Sequence, residues 1–414
     1  MNKSKIDLAI VGGGIVGLAI AYAATLKGRK VHVFDSQSKA VGASVRNFGM
    51  VWPIGQKREN LSKALRSRNI WLDLAEKAHF FIKENGSLHL AYHKDELQVL
   101  EEFTQKNIDL EGVKILTPTE ISNYSKAYCE ENLLGALWSP HELTVSPRQA
   151  LLRITEFLQI FHEVEFHFNT HITGVSMPQI FSAQKVWEVD ELIICNGANF
   201  ESLYPEIFDK SGIIKCKLQM LSTVPQPSGW DMGAHLCGGL TLRHYDSFSD
   251  CKSLPNLDKR LDKLEPKFKH YGIHVLVSQN HLGQIIIGDS HEYGSKISPF
   301  DKEEINQIIL DYFHKICRIP NFQIMERWHG IYAKLQNETE WIHSPEKGVT
   351  IINALGGAGM TLSFGLAEEF LQKKIMDRIK LILWQKSNQQ WLRLLCISLL
   401  KSDVIIARCV PFIF

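Results

Sequence analysis

The chain has 414 residues, 45% hydrophobic and 22% charged, with a formal net charge of +1. That length implies about two domains rather than one simple core. The balanced charge argues against a protein that neutralises many nucleic-acid phosphates, and no stretch reaches the ~20 apolar residues of a membrane span.

Lys3 and Lys5 precede an apolar run, as in a signal peptide. Three adjacent glycines interrupt that run, so strand, turn and helix describe it better. Residues 6–11 read as a buried strand, residues 15–26 as an alanine-rich helix and residues 30–35 as a second strand. Between strand and helix, Gly12, Gly14 and Gly17 fit G-x-G-x-x-G. The first permits a tight turn, the second lets a pyrophosphate approach the backbone, and the third lets helix and strand pack closely. With Ile15 and Val16, the helix start offers free N–H groups to phosphate. Asp35 stands 18 residues past Gly17, beside Ser36, and suits ribose hydroxyls. The order of strand, glycines, helix, strand and acid predicts dinucleotide binding. The acid disfavours a 2′-phosphate but does not separate FAD from NAD.

Residues 41–50 are small, polar and glycine-spaced, and suit backbone laid against a flat ring; a plain surface loop is the alternative. Ala43, Ser44, Arg46, Asn47 and Gly49 are the cofactor candidates in it. Residues 87–92 alternate like a strand. Residues 272–278 and 284–288 flank a turn at 280–283 and predict a hairpin. Residues 303–315 read as a helix, with Pro320 ending that stretch. Residues 349–354 form an apolar run ahead of Gly356, Gly357, Ala358, Gly359, Met360 and Thr361, and a helix is expected over residues 366–373. That order puts backbone N–H groups at a helix start, where they suit the pyrimidine edge of a reduced flavin. The cysteines at 129, 195, 216, 237, 251, 317, 396 and 409 form no CxxC pair, and no histidines stand at zinc spacing. Reduced thiols, a cytoplasmic setting and no metal are therefore expected.

Three features together resemble the D-amino acid oxidase and glycine oxidase family of flavoenzymes: the opening unit, the Gly-Ala-Ser-x-Arg-Asn segment, and the late strand followed by Gly-Gly-Ala-Gly-Met. Residues 191–198, with Asn196 and Gly197, look like the family's later strand and turn beside the cofactor. A narrower resemblance, carried by residues 46–53, 241–245 and 356–369, is to a subgroup associated with breakdown of 2-aminoethylphosphonate. The resemblance covers about residues 5 to 370. It implies an α/β fold with a Rossmann-like FAD-binding domain over 1–80, 145–205 and 320–373. A substrate domain built on an antiparallel sheet would take 81–144 and 206–319, and a tail would follow over 374–414. It also implies noncovalent FAD, although Cys237 and Cys251 are candidates for covalent attachment.

The implied chemistry is oxidation of the C–N bond of a small amine by hydride transfer to flavin N5, with oxygen or a respiratory carrier as the final acceptor. No catalytic base is required by that chemistry. Family members hold a substrate carboxylate with an arginine just after Trp-x-Gly. Here Tyr332 occupies that place and Lys334 follows, while Gly357 replaces the arginine of the late glycine loop. A phosphonate would need donors and positive charge. Arg243, His244 and Tyr245 form one candidate cluster, and Arg46, Tyr332 and Lys334 another; His291 is a weaker candidate. The preferred substrate is 2-aminoethylphosphonate or an N-methylated relative. The alternatives are a D-amino acid, glycine or sarcosine oxidoreductase, and an FAD-bound sensor or interaction protein. The apolar tail reads as an accessory helix, an accidental extension, or a peripheral contact at the inner membrane.

Overall fold

The computed structural model describes residues 6–386. The opening run forms the strand Leu8–Val11, the helix Ile15–Thr25 and the strand Val31–Phe34. Parallel strands need a crossover connection, which the helix supplies. The helix is apolar nearly all round and accordingly almost wholly buried. Ile10 stands opposite Val33 on one side and Ile193 on the other.

The resulting sheet has six strands in the order Trp341–His343, Val349–Asn353, Leu192–Ile194, Leu8–Val11, Val31–Phe34, Glu165–His167. All neighbours are parallel except the first pair, which is antiparallel. The carboxyl ends of Leu8–Val11, Leu192–Ile194 and Val349–Asn353 therefore lie side by side. Ligands of open α/β sheets bind at such ends.

A second sheet has nine strands. Its strand Ile214–Thr223 pairs antiparallel with Glu292–Gly294, with Ile285–Gly288 and, along its whole length, with Ile324–Lys334. The expected hairpin is present as Leu276–Gln279 against Ile285–Gly288. The sheet is antiparallel as expected, apart from His235–Cys237, which runs parallel to Ser87–Ala91. Ile324–Lys334, grouped by sequence with the cofactor segments, belongs to this sheet, because its ladder with Ile214–Thr223 sets Cys216 opposite Tyr332 and Leu218 opposite Gly330. Leu88, Leu236, Val277, Ile287 and Phe313 are part of the largest core cluster. The helix Glu303–Ile316 adds Ile305 and Ile309 to it, in keeping with its amphipathic spacing.

The late helix starts at Gly359, seven residues before the expected start, and continues to Lys386. Gly359 already has helical dihedrals, and Met360, Leu362 and Phe364 bury their side chains. One compact unit ends at Gly365 and a second begins at Leu366. The remaining tail, with the three readings given for it, lies outside the described residues, as do Lys3 and Lys5. No helix of the described residues is long and apolar enough to cross a membrane.

Candidate functional site

A cavity of about 600 Å³ opens at the carboxyl ends of the parallel strands. Its floor is the glycine turn. Gly12 has φ of +112°, and a Cβ there would lie 2.3 Å from the Cys195 carbonyl oxygen. The Ile15 N–H donates to Ser44 Oγ at 3.0 Å. The Gly13 N–H donates to Asp35 Oδ2 at 2.7 Å, and the Gln37 N–H to Oδ1 at 2.8 Å. Asp35 and Ser44, 22 and 29 residues from the N–H groups they accept, thus meet at one helix N-terminus.

The loop after Gly42 makes a short 3-10 turn over Ala43–Val45. Asn47 ties it: Nδ2 donates to the carbonyls of Ala43 and Ser44, and Oδ1 accepts the Gly49 N–H. Two further loops are joined by Asn353, whose Nδ2 donates to Asn196 Oδ1 at 3.0 Å and to the Gly197 carbonyl at 2.9 Å. Asn353 escaped the sequence reading. The signal was a polar residue closing an apolar strand directly before a glycine loop. Thr361 Oγ1 accepts the Trp52 N–H at 2.9 Å and anchors the start of the late helix.

Of the expected cofactor residues, Gly12, Gly14, Ile15, Val16, Asp35, Ser36, Ala43, Ser44, Arg46, Asn47, Asn196 and Gly197 line this cavity. So do Gly357, Ala358, Gly359, Met360 and Thr361. Gly17 and Gly49 do not, because each is spent on a backbone approach. A Cβ on Gly17 would lie 1.9 Å from the Gly12 carbonyl oxygen, and one on Gly49 would lie 2.1 Å from that of Val145. Cys237 and Cys251 are buried away from the lining. A small-residue cradle at a helix start and a carboxylate at the end of the second strand fit the pyrophosphate and ribose of FAD.

Arg46, His244, Tyr245, Tyr332, Lys334 and His291 line the same cavity. Arg243 does not. Its guanidinium pairs with Asp262 at 2.9 Å and Asp258 at 3.4 Å, both on the helix Leu254–Leu264. It directly follows the short helix Gly239–Leu242, and in a helical turn successive side chains leave in different directions. His244 and Tyr245 face the cavity while Arg243 serves a structural ion pair. His274 and Asp289, not singled out from the sequence, join the lining.

Burial lowers the pKa of His244 and pulls that of His291 down to about 4. It pushes the Tyr245 and Tyr332 phenols up, and the Cys216 thiol up to about 12. Neutral imidazoles and phenols thus stand with the Asp289 carboxylate and the cations Lys334 and Arg46 in one cavity, whose third cation, Lys57, pairs with Asp246 at 3.4 Å. Neither Lys334 nor Arg46 is ion-paired among the described residues.

A parallel sheet with a glycine cradle at its strand ends, sharing one cavity with a second large sheet, defines a nucleotide-cofactor oxidoreductase of two-sheet design. The chain belongs to the family of FAD dependent oxidoreductases (DAO), whose model matches residues 7–372. It is an FAD-dependent enzyme.

Glycine oxidase from Bacillus cereus superposes with a TM-score of 0.70 at 17% identity, covering 89% of this chain and 96% of that one. L-proline dehydrogenase from P. horikoshii gives 0.68 at 19% identity, covering 89% and 94%. At these identities the likeness is one of fold. Mitochondrial L-2-hydroxyglutarate dehydrogenase of Homo sapiens is 27% identical over 186 residues. That match takes in 42% of this chain and 39% of the human protein, so the chain spans well under half of that relative.

Proposed function

We propose that this enzyme oxidises the carbon–nitrogen bond of a small amine that also carries an anionic group, with 2-aminoethylphosphonate or an N-methylated relative preferred. The observation that carries this reading is the pair of cations, Lys334 and Arg46, that share a cavity with the glycine cradle and have no carboxylate partner among the described residues. Tyr332 stands where an arginine would grip a carboxylate, and it presents a neutral phenol instead.

Bound FAD supplies the two-electron acceptor. The chain's own residues orient the substrate and keep water away. Lys334 and Arg46 attract the anionic end, Tyr332 and Tyr245 offer hydroxyl groups, and the apolar faces of Phe48, Leu218 and Met220 narrow the space. The product is an imine, which hydrolyses to an aldehyde plus ammonia or methylamine. Oxygen or a respiratory carrier then takes the electrons, in a cytoplasmic setting. The cofactor part is discontinuous in this reading, which the six-stranded sheet supports by drawing on three separated segments.

Anaerobic mixing with a panel of amines tests the proposal. Aminophosphonates are expected to bleach the oxidised flavin band near ~450 nm. Faster bleaching by glycine or D-alanine would move the assignment to an amino acid oxidoreductase, and an untouched flavin would reject amine oxidation. Lys334→Ala is expected to raise KM about tenfold or more while bound flavin is retained, because a charge-assisted hydrogen bond is lost. An unchanged KM would remove Lys334 from the substrate site.

A further inference from the structure

We propose that His244, His274 and His291 form a binding site for a divalent metal of the zinc class, with its open position facing the cavity. One ring nitrogen from each histidine lies within 4.8 Å of the others. Nitrogens around a common tetrahedral zinc stand about 3.4 Å apart, given bonds of about 2.0–2.1 Å. Rotation of side chains covers the difference.

The polar groups around two of the rings favour ligation. His274 Nε2 faces Asp289 Oδ1 at 3.0 Å, while its Nδ1 is buried without a hydrogen-bond partner. His291 Nδ1 donates to the Gly272 carbonyl at 2.9 Å, which turns the lone pair to Nε2. Metal-binding histidines characteristically give their other N–H to a carboxylate or a backbone carbonyl; His291 does so to Gly272, and the Asp289 carboxylate stands beside His274 Nε2.

His244 stacks on His274, with ring centroids 3.8 Å apart and planes inclined by 26°, and His274 on His291 at 5.1 Å and 17°, so the rings must turn for their lone pairs to converge on one ion. The other histidine group on a strand pair, His32 with His167 and Glu165, lacks this layout. There His32 Nδ1 and His167 Nε2 already bond each other at 3.0 Å. All three proposed ligands line the cavity. Three protein ligands leave a fourth position for water or a substrate oxygen, as in catalytic zinc sites. Such an ion would also hold an oxyanion beside Lys334, a role that rests on the aminophosphonate reading.

The experiment uses the full-length FAD-loaded protein without a histidine tag, stripped by chelator and titrated with zinc by calorimetry. Bound metal is counted by mass spectrometry. One zinc per chain is expected. His274→Gln and His291→Gln should each weaken binding about 100-fold or more, and Asp289→Asn roughly 10- to 100-fold, with flavin content unchanged. His32→Gln should bind zinc like the parent. If a His274 variant loses flavin, His244→Gln, whose ring is held by stacking, carries the same expectation. Retention of less than about a tenth of an equivalent of zinc, or unchanged affinity in the His274→Gln/His291→Gln double variant, would overturn the site. Methylphosphonate, which has no amine to oxidise, should bind the zinc-loaded protein roughly tenfold or more tightly than the stripped one. Equal affinity would overturn the oxyanion role alone. An amine panel that fails to bleach the zinc-loaded enzyme would reject amine oxidation and leave the metal site standing.

Discussion

Gly17→Ala is expected to leave a protein that holds no FAD and unfolds readily. The added Cβ would lie 1.9 Å from the Gly12 carbonyl oxygen and 3.3 Å from the Ile10 side chain. The obstacle is backbone of the glycine turn directly after the strand Leu8–Val11, so the helix Ile15–Thr25 must shift away from it. A cost of about 3 kcal/mol or more follows from overpacking at a buried backbone contact. Thermal melting and the flavin-to-protein absorbance ratio measure it. Gly14→Ala is the control. Its Cβ would meet only Ser44 Oγ, at 3.1 Å, so the fold should persist while FAD binding weakens. If Gly17→Ala kept full flavin and an unchanged melting temperature, the packing role given to Gly17 would be wrong.

Glu142→Gln is expected to stabilise the protein in alkaline solution and to do little in acid. Glu142 is fully buried, its oxygens accepting the Ile54 N–H at 3.1 Å and the Ser87 hydroxyl at 2.9 Å. Burial raises its pKa from the ordinary 4.5 to about 7. The folded protein therefore holds a proton there that the unfolded chain releases earlier. Stability from this group is complete below about pH 4.5 and is lost as pH rises through 7, by about 3 kcal/mol in all. Glutamine has no charge to bury and still offers one acceptor and one donor. Urea unfolding at pH 5 and pH 9 tests this. A gain of about 2–3 kcal/mol is expected at pH 9, mostly absent at pH 5. Equal effects at both pH values would show that Glu142 does not titrate in this range.

Much of the cofactor site was legible because its signals are local. Gly12, Gly14 and Gly17 sit within one turn, and Asp35 ends the next strand, so the steric and hydrogen-bonding demands of the βαβ unit appear as spacing. The glycine loop before Thr361 was legible in the same way, although the helix behind it began earlier than expected. The substrate side was read less well. Arg243, His244 and Tyr245 are consecutive and looked like one cluster, yet Arg243 turns to Asp258 and Asp262. Nothing in a three-residue string says which side chain a short helix will aim inward.

The sequence by itself determined that this chain builds a dinucleotide cradle, because backbone approach there depends on residues near in the chain. Only the tertiary structure decided what surrounds the substrate end. The ladder between Ile214–Thr223 and Ile324–Lys334 places Tyr332, and the turns before and after the hairpin bring His274 and His291 to His244. Spacing along the chain excluded a zinc motif. Folding assembled three histidines from separate elements, because register and turns, rather than distance along the chain, set which side chains share a cavity.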